Sequence, residues 1–179
     1  YVTGYSCIVT TEINKFPCGD YNFIIFHGMG QHQEYNKRFG KSDVRFTAGN
    51  YPSRHDLTVY EKQIIADYDN ATLYNDRVVK QLCERFKNDD AVVIYLPDHG
   101  EEVFDRIHSY GRDHNADVSA DIAFSEFEVP FEIWFSPRAK KEHSDIYNAA
   151  RKAADKAFST DDLPHLLMGI AGISSPLYD

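Results

Sequence analysis

Apolar residues along the chain fall into short continuous runs and one long run with helical spacing. Residues 21–27 form the first short run, Tyr-Asn-Phe-Ile-Ile-Phe-His, which ends at the glycines Gly28 and Gly30. Residues 91–96 form the second short run, which ends at Pro97. Continuous apolar runs of this length are typical of strands that are buried on both faces of a sheet. The pattern therefore predicts two buried strands.

Between the two runs, the spacing predicts a long helix over residues 57–87. Asp56 is a candidate N-cap, and the polar residues 88–90 are expected to stop the helix. Two strands joined by one helix form a right-handed βαβ unit by default, with parallel strands. The apolar stripe that predicts the helix recurs at close to 3.6-residue spacing and consists of Ile64, Ile65, Tyr68, Ala71, Val78, Leu82 and Phe86.

The rest of the chain continues the α/β pattern. Residues 98–126 are polar and irregular, and a loop region of that length indicates function rather than connection. Residues 131–135 alternate and predict a third strand nearer an edge. A helix is expected over residues 138–157, and a shorter one with Pro164 in its first turn. The predicted fold class is α/β in a single domain with a mainly parallel sheet.

Composition excludes several classes of protein. The length of 179 residues suits one domain or part of one, and 42% hydrophobic with 26% charged residues is typical of a globular protein. A formal net charge of −9 argues against non-specific binding to nucleic acid. No apolar run reaches the roughly 20 residues of a membrane span. Because the chain begins at Tyr1 without methionine or a signal sequence, we expect it to be a piece of a longer protein.

The three cysteines do not decide between an exported and a cytosolic protein. Cys7 and Cys18 are close enough in sequence to close a small loop, and Cys83 lies in the predicted helix, where a buried apolar thiol is expected. One disulfide with one buried thiol would suit an exported protein, whereas three free thiols would suit the cytosol.

Polar clusters follow both predicted buried strands. The first strand ends in the cluster from His27 to His32, and Asp98 and His99 come after the second. Ligands of open parallel sheets bind beyond the carboxyl ends of the strands, so both clusters are expected at one edge. A carboxylate oxygen and an imidazole nitrogen suit zinc. The alternative for each cluster is an ordinary hydrogen-bonded side chain, which is the interpretation we favour for His27.

Four segments of the chain, in order, resemble motifs of the phosphoethanolamine transferases, which are sulfatase-like members of the alkaline phosphatase superfamily. Residues 22–39 resemble the family's FIVLHxxGSHxPxYxRY stretch, and residues 68–76 resemble its YDNxxxYxD helix. Residues 93–101 resemble its metal motif xxYxSDHGE, and residues 129–136 resemble its VPxxxWxS strand. The resemblance implies a partial α/β/α sandwich of the alkaline phosphatase and sulfatase type.

The resemblance also implies roles for individual residues. Asp98 and His99 correspond to two zinc ligands, and His32 to a histidine that holds the phosphoethanolamine headgroup or a second zinc. A further family histidine follows the metal motif in a YLHG context that this chain lacks. His114 is the preferred counterpart, with His108 as the alternative. The remaining histidines without a motif are expected to be surface or packing residues, and these are His55, His143 and His165.

The family's nucleophile is a threonine near the start of the catalytic domain, which the resemblance places upstream of Tyr1 together with an acidic zinc ligand. The hydroxyls of Thr10 and Thr11 lie in no such context. We therefore interpret residues 1–179 as the C-terminal portion of a catalytic domain without its nucleophile. Alone, this piece is expected to be inactive, to bind zinc weakly and to be able to self-associate through an uncovered sheet edge.

For the intact protein, the resemblance implies an inner-membrane enzyme whose catalytic domain faces the periplasm. It would transfer phosphoethanolamine from phosphatidylethanolamine to lipid A or another envelope glycan through a covalent threonine intermediate. Two alternatives remain at this point. One is a soluble sulfatase or phosphodiesterase of the same superfamily, and the other is a non-catalytic remnant domain.

Overall fold

A computed structural model of the chain describes residues 2–3, 21–112 and 118–176. The strands are β1 (Val2–Thr3), β2 (Phe26–His27), β3 (Val92–Tyr95), β4 (Glu102–Val103), β5 (Tyr110–Gly111) and β6 (Glu132–Phe135). The helices are α1 (Val59–Phe86), α2 (Ala120–Phe127), α3 (Pro137–Glu142), α4 (Ser144–Ala153) and α5 (Leu163–Ala171). The described residues divide into two compact units. The first runs to Arg85 and resumes over Val93–Glu132, and the second comprises Phe86–Val92 and the residues from Ile133 onward.

Helix α1 begins at Val59 because the preceding residues form a reciprocal cap. The backbone N–H of Thr58 donates to Glu61 Oε2 at 2.7 Å, and the N–H of Glu61 donates to Thr58 Oγ1 at 3.3 Å. This arrangement satisfies two backbone donors at the helix start. The prediction that Asp56 is the N-cap is therefore wrong. Its carboxylate instead pairs with Arg54 at 2.9 Å, which lowers the pKa of Asp56 to about 2.

The apolar stripe read from the sequence is the buried face of α1. Of the seven stripe residues, Tyr68 and Phe86 are half-buried and the others are buried. Asn70 is a buried polar residue on the same helix. The buried residues of α1 are Ile64, Ile65, Ala66, Asn70, Ala71, Val78 and Leu82.

The core of the first unit forms where α1 meets the hairpin of β4 and β5. The two strands of this hairpin are antiparallel, with Glu102 opposite Gly111 and Val103 opposite Tyr110. Each buried apolar side chain contributes about 1.5–3 kcal/mol relative to an exposed one. The core consists of Tyr35, Leu57, Ile64, Ile65, Val103 and Phe104, with Tyr51 and Tyr68 packed against it.

The first predicted strand is shorter and more exposed than the sequence pattern indicates. Only Phe26–His27 is a strand, and it pairs in parallel with Val2–Thr3. The side chains of Tyr21 and Phe23 are 98% and 73% exposed, so the described residues do not bury this segment on both faces as predicted. Strand β3 is half-buried along its length rather than buried. An apolar sequence shows that a segment can be buried, but it does not show that the described residues bury it.

The described strand pairs run in both directions. Strands β1 and β2 are parallel, whereas β4 and β5 are antiparallel. The structure thus shows mixed helices and strands. The mainly parallel sheet stays a prediction.

The second unit contains two helices where the sequence predicts one over residues 138–157. Helix α3 starts at Pro137, with Ser136 Oγ accepting the N–H of Ala139 at 3.0 Å. The chain then breaks at His143, whose φ of −120° and ψ of 48° are not helical. Pro164 lies in the first turn of α5, as predicted. Among the described helices, none is both long and apolar enough to cross a membrane.

Candidate metal centre

Asp98 and His99 follow β3 and present two metal-ligating atoms to the same region of space. His99 Nδ1 lies 2.8 Å from the carbonyl oxygen of Gly100, a contact that requires the proton on Nδ1. The other ring nitrogen, Nε2, lies 3.7 Å from Asp98 Oδ1, and in the neutral ring it is the nitrogen with a lone pair for a metal. The Asp98 side chain is 87% exposed, so the pair is open to solution.

This geometry is compatible with zinc. With zinc–nitrogen and zinc–oxygen bonds of about 2.0–2.2 Å, two ligands of a tetrahedral ion lie about 3.4 Å apart. The observed separation of 3.7 Å between Nε2 and Oδ1 is close to that value. Zinc-binding histidines usually donate their second N–H to a carbonyl or carboxylate, as His99 does to Gly100. In the described part of the chain, no third histidine, cysteine or carboxylate completes a three-ligand cluster with this pair.

The loop of residues 97–101, which carries Asp98 and His99 and is called the metal loop below, is anchored to α2 by Gly100. Its N–H donates to the carbonyl of Glu126 at 2.7 Å. A Cβ atom at this position would lie 2.1 Å from the carbonyl oxygen of Ser125, so the close approach requires glycine. The loop that carries Asp98 and His99 is therefore held by backbone contacts on its C-terminal side.

His32 lies on a separate exposed loop after β2, at some distance in sequence from the metal pair. Its N–H donates to the carbonyl of Met29 at 3.0 Å, closing a turn around Gly30, which has a φ of 47°. The neighbouring Gln31 side chain donates to Thr72 on α1 at 3.2 Å. These contacts fix the loop and leave the His32 side chain exposed.

Tyr35 links the loop of residues 28–34, called the His32 loop below, to the metal loop. Its hydroxyl donates to the carboxylate of Glu101. The Tyr35 ring is 4% exposed and meets the ring of Tyr68 edge-on at 5.2 Å. Burial first, and the hydrogen bond to Glu101 second, raise the pKa of Tyr35 far above its ordinary value. Tyr35 is therefore a permanent donor at physiological pH.

The two candidates for the further histidine have different outcomes. His114 lies outside the described residues, so the structure does not test it. His108 lies in the β4–β5 hairpin, with Nε2 at 2.9 Å from Glu61 Oε1 and its ring against Phe104 at 5.7 Å. Glu61 also accepts bonds from Thr58 at the start of α1. His108 is thus tied to the N-terminus of α1.

Sequence reasoning missed Glu102, the most buried charged residue of the hairpin at 2% exposed. Burial alone would raise its pKa, but hydrogen bonds from the Ser125 hydroxyl and the backbone N–H groups of Arg106, Asp105 and Ile107 lower it below the ordinary value. No signal for it was present in the sequence, because residues 98–126 predict a loop rather than the strand on which Glu102 lies.

A second group of potential ligands occurs in the second unit. Asp90, Glu142 and His143 bring one ligating atom each within 4.8 Å of one another. Contacts that these residues already make explain why they lie close together without a metal. His143 Nε2 lies 2.9 Å from Asp90 Oδ2, and Glu142 pairs with Arg138 at 2.9 Å. The expectation that His143 is a surface or packing residue agrees with these contacts.

The cysteine predictions are tested only in part. Cys83 is a free, half-buried thiol on α1, and burial raises its pKa. Cys7 and Cys18 lie outside the described residues, as do Thr10 and Thr11.

Comparison with known proteins places these residues in a family. The sulfatase family model matches residues 4–173. Phosphoethanolamine transferase EptC of Escherichia coli (strain K12) is 31% identical over 158 residues, which are 87% of this chain and 26% of that protein. Kdo(2)-lipid A phosphoethanolamine 7''-transferase of Salmonella typhimurium is 26% identical over 159 residues, which are 87% of this chain and 27% of that protein.

A solved structure agrees with the sequence comparisons. It is the crystal structure of the C-terminal periplasmic domain of EcEptC from Escherichia coli in complex with Zn, and it matches with a TM-score of 0.69 and 28% identity. The match covers 97% of this chain and 47% of that chain. The chain thus spans about a quarter of the curated relatives and about half of the solved domain. With a family model that covers nearly its whole length, the chain belongs to the sulfatase family, and its relatives in that family are phosphoethanolamine transferases.

Proposed function

We propose that this chain is the C-terminal portion of the zinc-dependent catalytic domain of a phosphoethanolamine transferase, with Asp98 and His99 as two of the zinc ligands. The observation that carries the proposal is the orientation of His99. Its Nδ1–H is committed to the carbonyl of Gly100, so Nε2 is left to bind a metal beside Asp98 Oδ1. The Zn complex of the EcEptC domain supports zinc as the metal.

In the proposed reaction, zinc would supply positive charge that stabilises a deprotonated threonine and the oxygens of the phosphoryl group. The threonine oxygen attacks the phosphorus of phosphatidylethanolamine, and the diacylglycerol oxygen leaves with the bonding electrons and takes up a proton. The acceptor hydroxyl then attacks the same phosphorus, loses its proton and releases the threonine. The acceptor would be lipid A or another envelope glycan.

The contribution of this chain to that sequence is to bind and orient. Asp98 and His99 would hold the ion in place, and the contacts of Gly100 keep their loop fixed against α2. His32 is exposed on the neighbouring loop, where an imidazole N–H can donate to a phosphoryl oxygen of the headgroup. His114 and His108 remain the candidates for a second headgroup contact. Of these, His108 would first have to leave Glu61.

The proposal includes a longer protein around this chain. The relatives are about four times as long as the part that matches, and the solved domain is about twice as long. We infer that the remainder supplies the nucleophilic threonine, the other half of the catalytic domain and a membrane anchor, with the domain in the periplasm. The exposed apolar side chains of Phe23 and Ile25 suit a strand that the remainder covers.

The finer fold assignment is part of the same proposal. We infer a partial α/β/α sandwich of the alkaline phosphatase type with a mainly parallel sheet. The TM-score of 0.69 to the EcEptC domain and the parallel pairing of β1 with β2 support it. Tested as an isolated piece, the chain is expected to be inactive, to bind zinc weakly and to associate with itself through the uncovered residues around Phe23.

The test compares the intact protein with its Asp98→Ala and His99→Ala variants. We expect wild type to bind zinc in a chelator competition and to add phosphoethanolamine to lipid A or a core glycan, detected by mass spectrometry. Each variant is expected to lose at least tenfold in zinc affinity and the transfer activity. His55→Ala, at an exposed histidine outside the motifs, serves as the matched control and should change neither.

Three outcomes would contradict the proposal. Unchanged zinc binding and activity in both variants would exclude the assigned ligands. Hydrolysis of sulfate esters or phosphodiesters to water, without transfer, would favour a soluble sulfatase or phosphodiesterase. Absence of both zinc binding and turnover in the intact wild type would favour a non-catalytic remnant.

A further inference from the structure

The loop segment that carries His32 is held as one piece by Arg38. The guanidinium donates from Nε to the carbonyl of His32 at 2.9 Å and from Nη2 to the carbonyl of Gln33 at 2.6 Å. The N–H of Arg38 also closes the short 3-10 helix Tyr35–Lys37 by donating to the carbonyl of Tyr35. Arg38 therefore joins the backbone of Tyr35 to the backbone of His32.

The same segment holds a strained residue. Glu34 has a φ of 63° and a ψ of 50°, the left-handed conformation that non-glycine residues seldom adopt. Such strain costs about 1–3 kcal/mol and persists where the surroundings determine the backbone. Because Tyr35 directly follows, the strained turn directs the tyrosine ring into the core.

At the far side of that ring, the Tyr35 hydroxyl reaches Glu101, 66 residues later in the chain. Glu101 follows the metal pair within the same short loop, and its neighbour Gly100 is fixed by the N–H bond to Glu126. The hydrogen bond therefore joins two loops that are separately anchored, one bearing His32 and the other bearing the metal pair.

We propose that Tyr35 is a positioning residue, whose hydrogen bond to Glu101 holds the His32 loop in register with Asp98 and His99. Tyr35 touches neither the metal nor the substrate in this role and acts through Glu101. The inference rests on the proposed function, because it assumes that the pair binds zinc. It adds a residue that determines how well the site is preorganised.

Tyr51 offers a matched control for the experiment. Its hydroxyl donates to the Asp69 carboxylate at 2.5 Å, and its ring packs against the same core as Tyr35. Tyr51→Phe therefore removes a tyrosine–carboxylate hydrogen bond of the same kind without touching the metal loop. In both tyrosines, burial and then the carboxylate partner raise the pKa, so both hydroxyls are donors over the working pH range.

The measurement is zinc affinity of the intact protein by competition with a chromophoric chelator, together with the midpoint of urea unfolding. We expect Tyr35→Phe to weaken zinc binding about tenfold, the lower end of the effect of residues behind metal ligands. Tyr51→Phe should lower the urea unfolding midpoint by about as much as Tyr35→Phe does, but it should leave zinc affinity within twofold. Glu101→Gln keeps an acceptor oxygen for Tyr35 and should retain more affinity than Glu101→Ala.

Equal zinc affinities for Tyr35→Phe and Tyr51→Phe would overturn the inference, since Tyr35 would then be a structural residue only. If Tyr35→Phe does not fold, the two Glu101 variants decide, and equal affinities for them would also overturn it. If wild type binds zinc, Asp98→Ala abolishes the binding and Tyr35→Phe has no effect, this inference is refuted and the proposed function stands. A wild type that binds no zinc refutes both.

Discussion

Ser125 on α2 donates a hydrogen bond to the buried carboxylate of Glu102 at 2.5 Å, across 23 residues of sequence. The other carboxylate oxygen of Glu102 accepts the backbone N–H groups of Asp105 at 2.5 Å and Arg106 at 2.8 Å. One buried side chain thus closes the turn of the β4–β5 hairpin and attaches it to α2. The hairpin in turn carries His108 and follows directly on the metal loop.

Replacing Glu102 by glutamine is expected to destabilise the protein. The amide oxygen can still accept the backbone N–H groups, but those bonds lose the negative charge that strengthens them, and the NH2 replaces the oxygen that accepts from Ser125. We expect a loss of about 1–3 kcal/mol. Urea unfolding at neutral pH measures the change. Glu128→Gln, at an exposed glutamate one residue after α2, is the control and should stay within about 0.5 kcal/mol of wild type. Equal stabilities for the two variants would contradict a supporting role of the carboxylate.

The same carboxylate makes stability depend on pH. Because its pKa in the folded protein is lowered below the ordinary 4.5, its contribution is fully present above pH 4.5 and is lost as the pH falls through the lower folded value. The difference in unfolding free energy between wild type and Glu102→Gln should therefore be constant above pH 4.5 and shrink in more acidic solution. A difference that grows on acidification would show the opposite sign of shift.

Asn70, in the segment that resembles the YDN motif, has a structural part in the fold. Its Oδ1 accepts the N–H groups of Arg45 at 2.7 Å and Phe46 at 2.9 Å, and its Nδ2 donates to the carbonyl of Phe46 at 2.9 Å. Asn70→Ala would leave three backbone groups without partners and should lower the free energy of unfolding by about 3 kcal/mol. Asn75→Ala removes a single bond to Tyr95 and should lower it by about 1 kcal/mol.

The neighbours of Asn70 show how far the sequence could predict the site. The motif located Tyr68 and Asp69 on a helix, but their partners, Tyr35 and Tyr51, come from a loop much earlier in the chain. A single sequence records which side chains can pair and not which distant ones do. Glu101 and Tyr35 both lie within motif segments, but their pairing was found only in the structure.

The sequence correctly predicted features that depend on neighbouring residues in the chain. The spacing of Ile64, Ile65 and Val78 predicted the buried face of α1, and Pro164 predicted the start of α5. The error over Asp56 arose because the Thr58–Glu61 cap is a better local solution than a single N-cap. The break at His143, whose ring contacts Asp90 53 residues earlier in the chain, leaves no mark in the local periodicity.

Gly100 is expected to be intolerant of any side chain. A Cβ would lie 2.1 Å from the Ser125 carbonyl oxygen, so the metal loop would have to move away from α2. Gly100→Ala should therefore weaken zinc binding about tenfold and lower the unfolding midpoint. Gly169→Ala is the control, because a Cβ there has nothing within 4 Å and alanine favours the helix by about 1 kcal/mol. Wild-type zinc affinity in Gly100→Ala would show that the loop tolerates displacement.

His143 gives a prediction with the opposite dependence on pH. The hydrogen bond to Asp90 is the main cause that raises its pKa above 6.5, with smaller contributions from the charges of Asp90, Glu142 and Asp145. Its stabilising contribution is therefore fully present below pH 6.5 and is lost as the pH rises through the higher folded value.

An NMR titration of the His143 ring in wild type and two variants tests this assignment. Asp90→Asn should return the pKa most of the way to 6.5, because it removes both the charged hydrogen-bond acceptor and the nearest charge. Glu142→Gln removes only a more distant charge and should lower the pKa less. A larger fall in Glu142→Gln than in Asp90→Asn would mean that the charge of the whole cluster, rather than one hydrogen bond, holds the proton on His143.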